Sequence, residues 1–304
     1  MNSERRKILI AVSGPTAAGK TALSIELAQY FHTEIISADS RQFYREMEAG
    51  TAKPSAEELT VVLHHFINSH SITDQFSVAD FEKAAIQKLE ELFQTHSVVI
   101  LVGGSGLFLQ AVYQGFDEMP DVDPQEREKW NRLYREFGLD YLQSQLQVFD
   151  PEYYNQVDLQ NPQRIIRALE VCSSTGKNFS SLRTKNKKER PFKIIKIGIS
   201  PERAVLYDRI NRRVDTMVEN GLVKEALALQ SQQHLNALNT VGYKEFFEAF
   251  NQNIPVKEAI EKIKQNTRRF AKRQITWFKK DPEMVWFESP DMKPVLQYIL
   301  TLIG

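Results

Sequence analysis

Four short, mostly apolar runs punctuate the chain, Ile8–Val12, Glu34–Ala38, Val98–Val102 and Phe192–Ile199. Runs of this length with little alternation predict strands buried on both faces. Between the first three lie patterns of helical period. Thr21–Phe31 is one and Ala79–Phe93 another, the latter with Phe81, Ala85, Leu89 and Leu92 on one face. Strand and helix in alternation predict a parallel α/β sheet flanked by helices. From residue 117 to 190 the strand signal disappears. A Pro/Asp-rich turn (Met119–Pro124) leads into helical patterns rich in Gln, Glu, Arg and aromatics, and a basic stretch, Ser180–Arg190, reads as a linker. The expected organisation is a core formed by 1–116 and 191–304, interrupted by an all-helical insertion, 117–190. Beyond Pro201 the pattern is mainly helical and includes a long helix over about Val256–Lys280.

Composition narrows the class. The chain has 304 residues, 42% hydrophobic, and no stretch approaches the roughly 20 apolar residues of a membrane span. A strand opening near residue 7 leaves no room for a signal peptide, and Cys172 is the lone cysteine, which excludes internal disulfides and zinc-finger spacing. A soluble cytoplasmic protein is expected, with nothing requiring more than a monomer. Net charge is zero, from 39 basic and 39 acidic side chains, but the distribution is uneven. Eight basic residues and no acidic one lie between Lys262 and Lys280, and Arg183, Lys185, Lys187, Lys188 and Arg190 face only Glu189. Such stripes are either solvated helix faces or a nucleic-acid footprint.

The loop after the first strand reads G-P-T-A-A-G-K-T, Gly14 to Thr21, which fits G-x-x-x-x-G-K-[ST] between strand and helix. Glycines let successive backbone N–H groups turn toward one anion, and the helix N-terminus adds positive potential. Lys20 supplies a mobile charge and Thr21 a hydroxyl for Mg²⁺. In a doubly wound sheet the ligand sits at the strands' carboxyl ends. The second strand ends in Asp39-Ser40-Arg41-Gln42, where Asp39 reads as a general base, an outer-shell Mg²⁺ partner, or a helix cap. Gly50–Pro54 puts Lys53 on a turn. The strand ending at Val102 runs into Gly103-Gly104-Ser105-Gly106, where a nucleoside triphosphatase would usually carry an Asp for Mg²⁺. His64, His65 and His70 complete no metal set and read as packing. On the long C-terminal helix, Ile260, Ile263, Thr267, Phe270, Gln274 and Trp277 should face the protein. Arg269, Lys272, Arg273, Thr276 and Lys280 form another, basic side. Arg164 and Arg167 stand three apart on a helix, suited to phosphates or bases, although Arg167 with Glu170 also reads as a surface ion pair.

In this order the segments resemble the tRNA dimethylallyltransferase family. The resemblance is carried by G-P-T-A-A-G-K-T, I-S-A-D-S-R-Q-F-Y at 36–44, G-T-A-K-P at 50–54 and F-S-V-A-D-F at 76–81. It continues through L-V-G-G-S-G-L-F at 101–108, N-P-Q-R-I-I-R-A-L-E-V at 161–171, V-G-Y-K-E at 241–245 and A-K-R-Q-I-T-W-F at 271–278. It implies a P-loop-type fold and transfer of a dimethylallyl group from its diphosphate to the exocyclic amine of an adenosine. That adenosine would lie 3′ to the anticodon of tRNAs reading U-starting codons. Gly14, Thr16, Ala17, Ala18, Gly19, Lys20 and Thr21 would hold the diphosphate, with Arg209 as a second clamp and Thr21 on Mg²⁺. Asp39 would take the amine proton, and Ser105 would orient the base or the donor. The tRNA-contact segments would be Asp39, Ser40, Arg41 and Gln42 with Ser105; Arg127; Gln163, Arg164, Ile165, Ile166 and Arg167; and Asn239, Thr240, Val241, Gly242, Tyr243 and Lys244. Lys272 and Arg273 would add a basic face.

The family loop usually reads G-G-T where Ser105 stands, and commonly has Ser where Ala18 stands. Eukaryotic relatives append a zinc finger that one cysteine cannot form. Three rivals stay open. A small-molecule kinase would bind ATP in the same loop, an adenylate dimethylallyltransferase would act on free nucleotides, and a non-catalytic RNA-binding protein would leave Asp39 idle. The glycine at 103 and the basic helix favour a prenyl diphosphate over ATP.

Overall fold

The computed structural model describes residues 6–117, 119–184 and 187–304. They divide into two compact units, 1–114 with 189–304, and 115–188. In the first, six strands form one sheet: β1 Ile8–Ser13, β2 Ile35–Ser37, β3 His64–His65, β4 Val98–Gly103, β5 Lys193–Ile199 and β6 Val285–Phe287. Their order is β3-β2-β4-β1-β5-β6, and every pairing is parallel. β1 and β4 are buried along their whole length, which explains their continuous apolar runs. The register matters for function. Ser13 pairs with Gly103, and Ser37 with Val102, so the loops that begin at Gly14, Ala38 and Gly104 emerge side by side at one end of the sheet.

Strands β3 and β6 were not expected. Both are short edge strands, β3 the polar pair His64–His65 and β6 the three apolar residues Val285–Phe287, and pairing with β2 and β5 supplies what their length does not.

Helices α1 Lys20–Phe31, α2 Ala56–Val61, α3 Val78–Leu92 and α4 Gly106–Gln114 follow the first strands. Phe81, Ala85, Leu89 and Leu92 of α3 are buried, as their spacing predicts. The caps differ instructively. Ser55 with Glu58, and Ser77 with Asp80, close capping boxes on α2 and α3. α1 starts at Gly19 with no side-chain cap, which leaves its first N–H groups for an anion.

The unit 115–188 holds only helices among its described residues: α5 Pro124–Phe149, α6 Pro151–Tyr154, α7 Pro162–Thr175 and α8 Phe179–Leu182. α5 bends at Gly138, where φ is +79°. Its core joins Trp130, Leu142 and Leu146 of α5 to Ile165, Ile166 and Leu169 of α7. The stretch 180–190, expected as a linker, is tied at both ends. The Ser180 N–H and hydroxyl bond to the buried Asp150, and Arg183 stacks over Tyr153. In the other unit, Arg190 pairs with Glu82 and donates to the Ala111 and Val112 carbonyls. Lys185 lies outside the described residues.

Helices α9 Arg203–Glu219, α10 Leu222–Leu229, α11 Lys244–Gln252, α12 Val256–Phe278 and α13 Met292–Ile303 complete the first unit. One sheet face packs on α1 and α13 through Leu23, Leu27, Val295 and Ile299. The other packs on α3 and α4, with Phe278 of α12 beneath them. α9 to α12 build a third cluster around Val214, Leu222, Phe246 and Ile263.

Candidate active site

The phosphate loop turns sharply out of β1 at Gly14, where φ is +147° and a Cβ would fall 2.3 Å from the Ile199 carbonyl oxygen, so only glycine fits. Lys20 Nζ donates to the Pro15 carbonyl at 2.7 Å. Burial, reinforced by Arg213 and opposed by Asp39, lowers its pKa to about 8. Thr16 N–H donates to Gln274 Oε1 at 2.9 Å, and Gln274 Nε2 donates to the Gly104 carbonyl at 2.8 Å.

Asp39 follows β2, and its Oδ1 accepts the Arg41 N–H at 3.0 Å. Ser105 Oγ accepts the Ser40 N–H at 3.1 Å and donates to Ser40 Oγ at 3.2 Å, which fixes the Asp39 loop against the loop after β4. Arg41 and Gln42 are committed to the fold. The Arg41 guanidinium donates to the Asn236 and Ala237 carbonyls. Gln42 Nε2 bridges the Thr51 and Ala52 carbonyls, and its Oε1 accepts from Ser37.

One cavity at this sheet end is lined by Thr16, Lys20, Thr21, Asp39, Arg213 and Gln274. Ile210, Val214, Met217, Val241, Ile263 and Phe270 line it too. Charged and apolar groups around one space suit an amphiphilic anion. Arg41, Gln42, Thr240 and Gly242 also line it.

Arg213 was missed by the sequence reading. Its Nη2 donates to the Ala52 carbonyl at 3.3 Å, while its buried Nε has no partner among the described residues. Burial lowers its pKa, against the attraction of Asp39. Arg209, one turn earlier on α9, is exposed and donates to the Ala18 carbonyl at 3.5 Å. Leu206, Ile210 and Val214 mark the inner face of α9, and that spacing places Arg213 beside it.

Several expected contacts need correction. Ile165 and Ile166 are fully buried in the α5–α7 core, and Tyr243 is buried with its hydroxyl donating to Glu225 at 2.6 Å, so these side chains are closed to an RNA. Lys53 is no free cation, because its Nζ is held by the Tyr44 carbonyl, Glu48 and Asn68 with 1% of its side chain exposed. Arg127 and Arg167 both grip the buried Glu170, and Arg127 also donates to Gln163, so Glu170 is no surface partner. Both arginines remain half-exposed, and Gln163 and Arg164 are exposed. Asn239 and Lys244 are exposed as well.

The basic stripe of α12 divides. Lys262 pairs with Glu248, Lys264 with Asp215 and Glu261, and Arg268 donates to Asn211. Arg269, Lys272, Arg273 and Lys280 are exposed, with no carboxylate partner among the described residues. Phe270 and Trp277, expected inside, are 38% and 39% exposed; Phe270 lines the cavity and Trp277 lies across Gly106. The histidines serve local bonding, His65 to Glu34 and His64 to the Val62 carbonyl. No group of three His, Cys, Asp or Glu able to hold a metal occurs among the described residues. No helix is long and apolar enough to cross a membrane among them either.

Residues 42–281 match the family model described as IPP transferase. The chain is 56% identical over 297 residues to the tRNA dimethylallyltransferase of Christiangramia forsetii, covering 97% of this chain and 98% of that one. It is 50% identical over 293 residues to tRNA dimethylallyltransferase 1 of Bacteroides fragilis, covering 96% and 97%. The full-length tRNA isopentenylpyrophosphate transferase of Bacillus halodurans has a similar structure, with TM-score 0.71 and 37% identity over 98% of this chain and 96% of that one. A eukaryotic dimethylallyltransferase acting on tRNA gives TM-score 0.73 and 27% identity over 89% of this chain and 69% of that one. Nothing in these comparisons supports a kinase or a free-nucleotide enzyme. By sequence and by structure the chain belongs to the IPP transferase family, whose Christiangramia forsetii and Bacteroides fragilis members carry the name tRNA dimethylallyltransferase.

Proposed function

We propose that this protein transfers the dimethylallyl group of dimethylallyl diphosphate to the exocyclic amine of the adenosine 3′ to the anticodon, in tRNAs reading U-starting codons. The observation that carries this reading is the cavity itself, where a phosphate loop with Lys20 and Arg213 shares one space with Asp39 and an apolar slot. A nucleoside triphosphatase would need an acid where Gly103 stands, and the apolar wall has no use for a triphosphate. The donor's diphosphate lies on the N–H groups of Ala17, Gly19, Lys20 and Thr21, with Lys20, Arg213 and Arg209 compensating its charge. The five-carbon chain lies against Val214, Met217 and Ile263.

In the transfer the amine nitrogen forms a bond to the donor's C1 while the C1–O bond breaks. The electron pair of that bond leaves with pyrophosphate, and Lys20 and Arg213 stabilise the charge as it develops. Asp39 accepts the amine proton, a role general-base groups fill with about 10²- to 10⁴-fold effect. Thr21 and Asp39 line the same cavity and offer hard oxygen atoms, which fits Mg²⁺, an ion that takes few protein ligands and completes its shell with phosphate oxygens and water. Thr21 would hold it directly; when bound, the ion adds neutralising charge at the leaving group.

An adenosine in an RNA loop reaches Asp39 only when drawn out of its stack, and the half-exposed Phe270 offers an aromatic face at the cavity edge. Arg269, Lys272 and Arg273 on α12 supply backbone contacts. The helical segment 117–190 supplies others through Arg127, Gln163, Arg164 and Arg167. We take the acting form to be a monomer working on cytoplasmic tRNA. Labelled dimethylallyl diphosphate should transfer to unmodified tRNA of the U-reading set. Transfer to free AMP but not to tRNA would replace this reading with the free-nucleotide one.

A further inference from the structure

A buried carboxamide is costly unless both its ends are hydrogen-bonded. Gln274, 7% exposed on α12, meets that demand with backbone groups of two different loops. Its Oε1 takes the Thr16 N–H of the phosphate loop at 2.9 Å, and its Nε2 gives to the Gly104 carbonyl at 2.8 Å. The approach is close enough that a Cβ on Gly104 would stand 2.6 Å from Nε2, so the glycine is what lets the carboxamide reach. The chain of contacts continues beyond Gly104. Ser105 receives the Ser40 N–H and donates to Ser40 Oγ, immediately beside Asp39. One side chain therefore ties the loop that grips the donor to the loop after β4, and Ser105 ties that loop to the one that carries the base. A slip of either loop by about 1 Å breaks one of its two bonds.

We propose that Gln274 is a positioning residue that sets the distance between the donor's reacting carbon and the proton acceptor Asp39, acting through Gly104, Ser105 and Ser40. It rests on the functional reading above and adds a residue whose carboxamide is committed at both ends to the backbone of two loops. Its effect belongs to the chemical step, since misplacing reacting groups by about 1 Å costs on the order of 10²-fold.

The test is a kinetic cycle on the full-length protein with dimethylallyl diphosphate and unmodified tRNA. Gln274→Met removes both hydrogen bonds at nearly constant volume. Single-turnover rate at saturating substrates should fall about 10- to 100-fold. Affinity for a non-transferable thiolodiphosphate analogue of the donor should change less than about threefold. Ser105→Ala and the double variant complete the cycle, and the combined loss should be smaller than the product of the single losses, because the two residues act along one path. Multiplying losses, an unchanged rate, or a rate that falls only in step with donor affinity overturns the proposal. If Gln274→Met does not fold, Gln274→Glu carries the same cycle, since it keeps an acceptor for Thr16 and loses the donor to Gly104. Wild type and Asp39→Asn are run beside these. No transfer by wild type overturns the functional reading, and no loss in Asp39→Asn removes Asp39 as the base that Gln274 would position. An undiminished Gln274 variant with an intact Asp39 effect overturns the positioning role alone.

Discussion

The two compact units bury charge in opposite ways. In the helical unit, Asp150 is fully buried and accepts the Tyr153 N–H, the Ser180 N–H and the Ser180 hydroxyl. Glu170, 1% exposed, is gripped by Arg127 and Arg167. At the sheet end of the other unit, Lys20, Arg41 and Arg213 face one cavity whose only lining carboxylate, among the described residues, is Asp39. Lys20 rests on a loop carbonyl, and Arg213 has an unpartnered Nε. The first arrangement is complete within the fold, whereas the second leaves cations short of acceptors, as the diphosphate site proposed above requires. Buried charge is thus structural where its partners are present and functional where they are short.

Substitutions should separate the two, beginning with the largest effect. Asp39→Asn should lower turnover about 10²- to 10⁴-fold. Its melting temperature should stay within a few degrees of wild type, because the loop is also held by Ser105. Turnover assays with thermal melts check this, and an unchanged rate removes Asp39 as base. Asp150→Ala should do the reverse. It strips the cap of α6 and the acceptor of Ser180, a loss of about 2–4 kcal/mol in stability. Binding of the donor analogue, which needs only the other unit, should persist under conditions where the variant is folded. Calorimetric unfolding and binding measure the two arms.

Arg213→Met sharpens the contrast further. Removing a charge-assisted contact should weaken donor binding by about 1.5–3 kcal/mol, on the order of 10- to 100-fold. Because burial already disfavours the charged guanidinium, the free protein should lose no stability and gain up to about 1 kcal/mol. A variant that binds donor normally, or that unfolds, would place Arg213 with the structural charges instead.

The same physics explains what could be read from the chain and what could not. β1 and β4 were legible because strands buried on both faces leave continuous apolar runs, Ile8–Val12 and Val98–Val102, while the edge strand β3 is two histidines and β6 an apolar run of only three. The glycine loop and Asp39 were legible because their chemistry is local in sequence and sits at strand ends. Arg213 and Gln274 were not, because what makes them matter is distant. Gln274 meets Thr16 across 258 positions, and nothing in its own helix announces that partner. Ile165 and Ile166 show the converse. A motif marks a segment, but packing of α7 on α5 decides which side chains leave it, and the spacing of Ile165, Ile166, Leu169 and Cys172 marks the inner face.

The smallest effect is also the most discriminating. Lys20 titrates at about 8 in the free protein, well below its ordinary 10.5, chiefly because it is buried and then because Arg213 is near. An arriving diphosphate is a new anionic partner and raises that pKa, so binding above pH 8 must take up a proton. Donor affinity is therefore full below about pH 8 and declines as pH rises beyond it, by at most about tenfold per unit. Stability of the free protein moves the other way. The folded pKa lies below the unfolded one, so the cost of burying charged Lys20 is full below about pH 8 and is relieved as pH rises toward 10.5. Lys20→Arg stays charged throughout and should abolish the decline in affinity, and Lys20→Met should abolish the rise in stability. Titration calorimetry with the donor analogue and melting curves between about pH 7 and pH 9.5 check both. Opposite slopes in wild type, each removed by its own substitution, are what a cation buried for a ligand must show; parallel slopes would mean that Lys20 is satisfied by the fold, as Asp150 is.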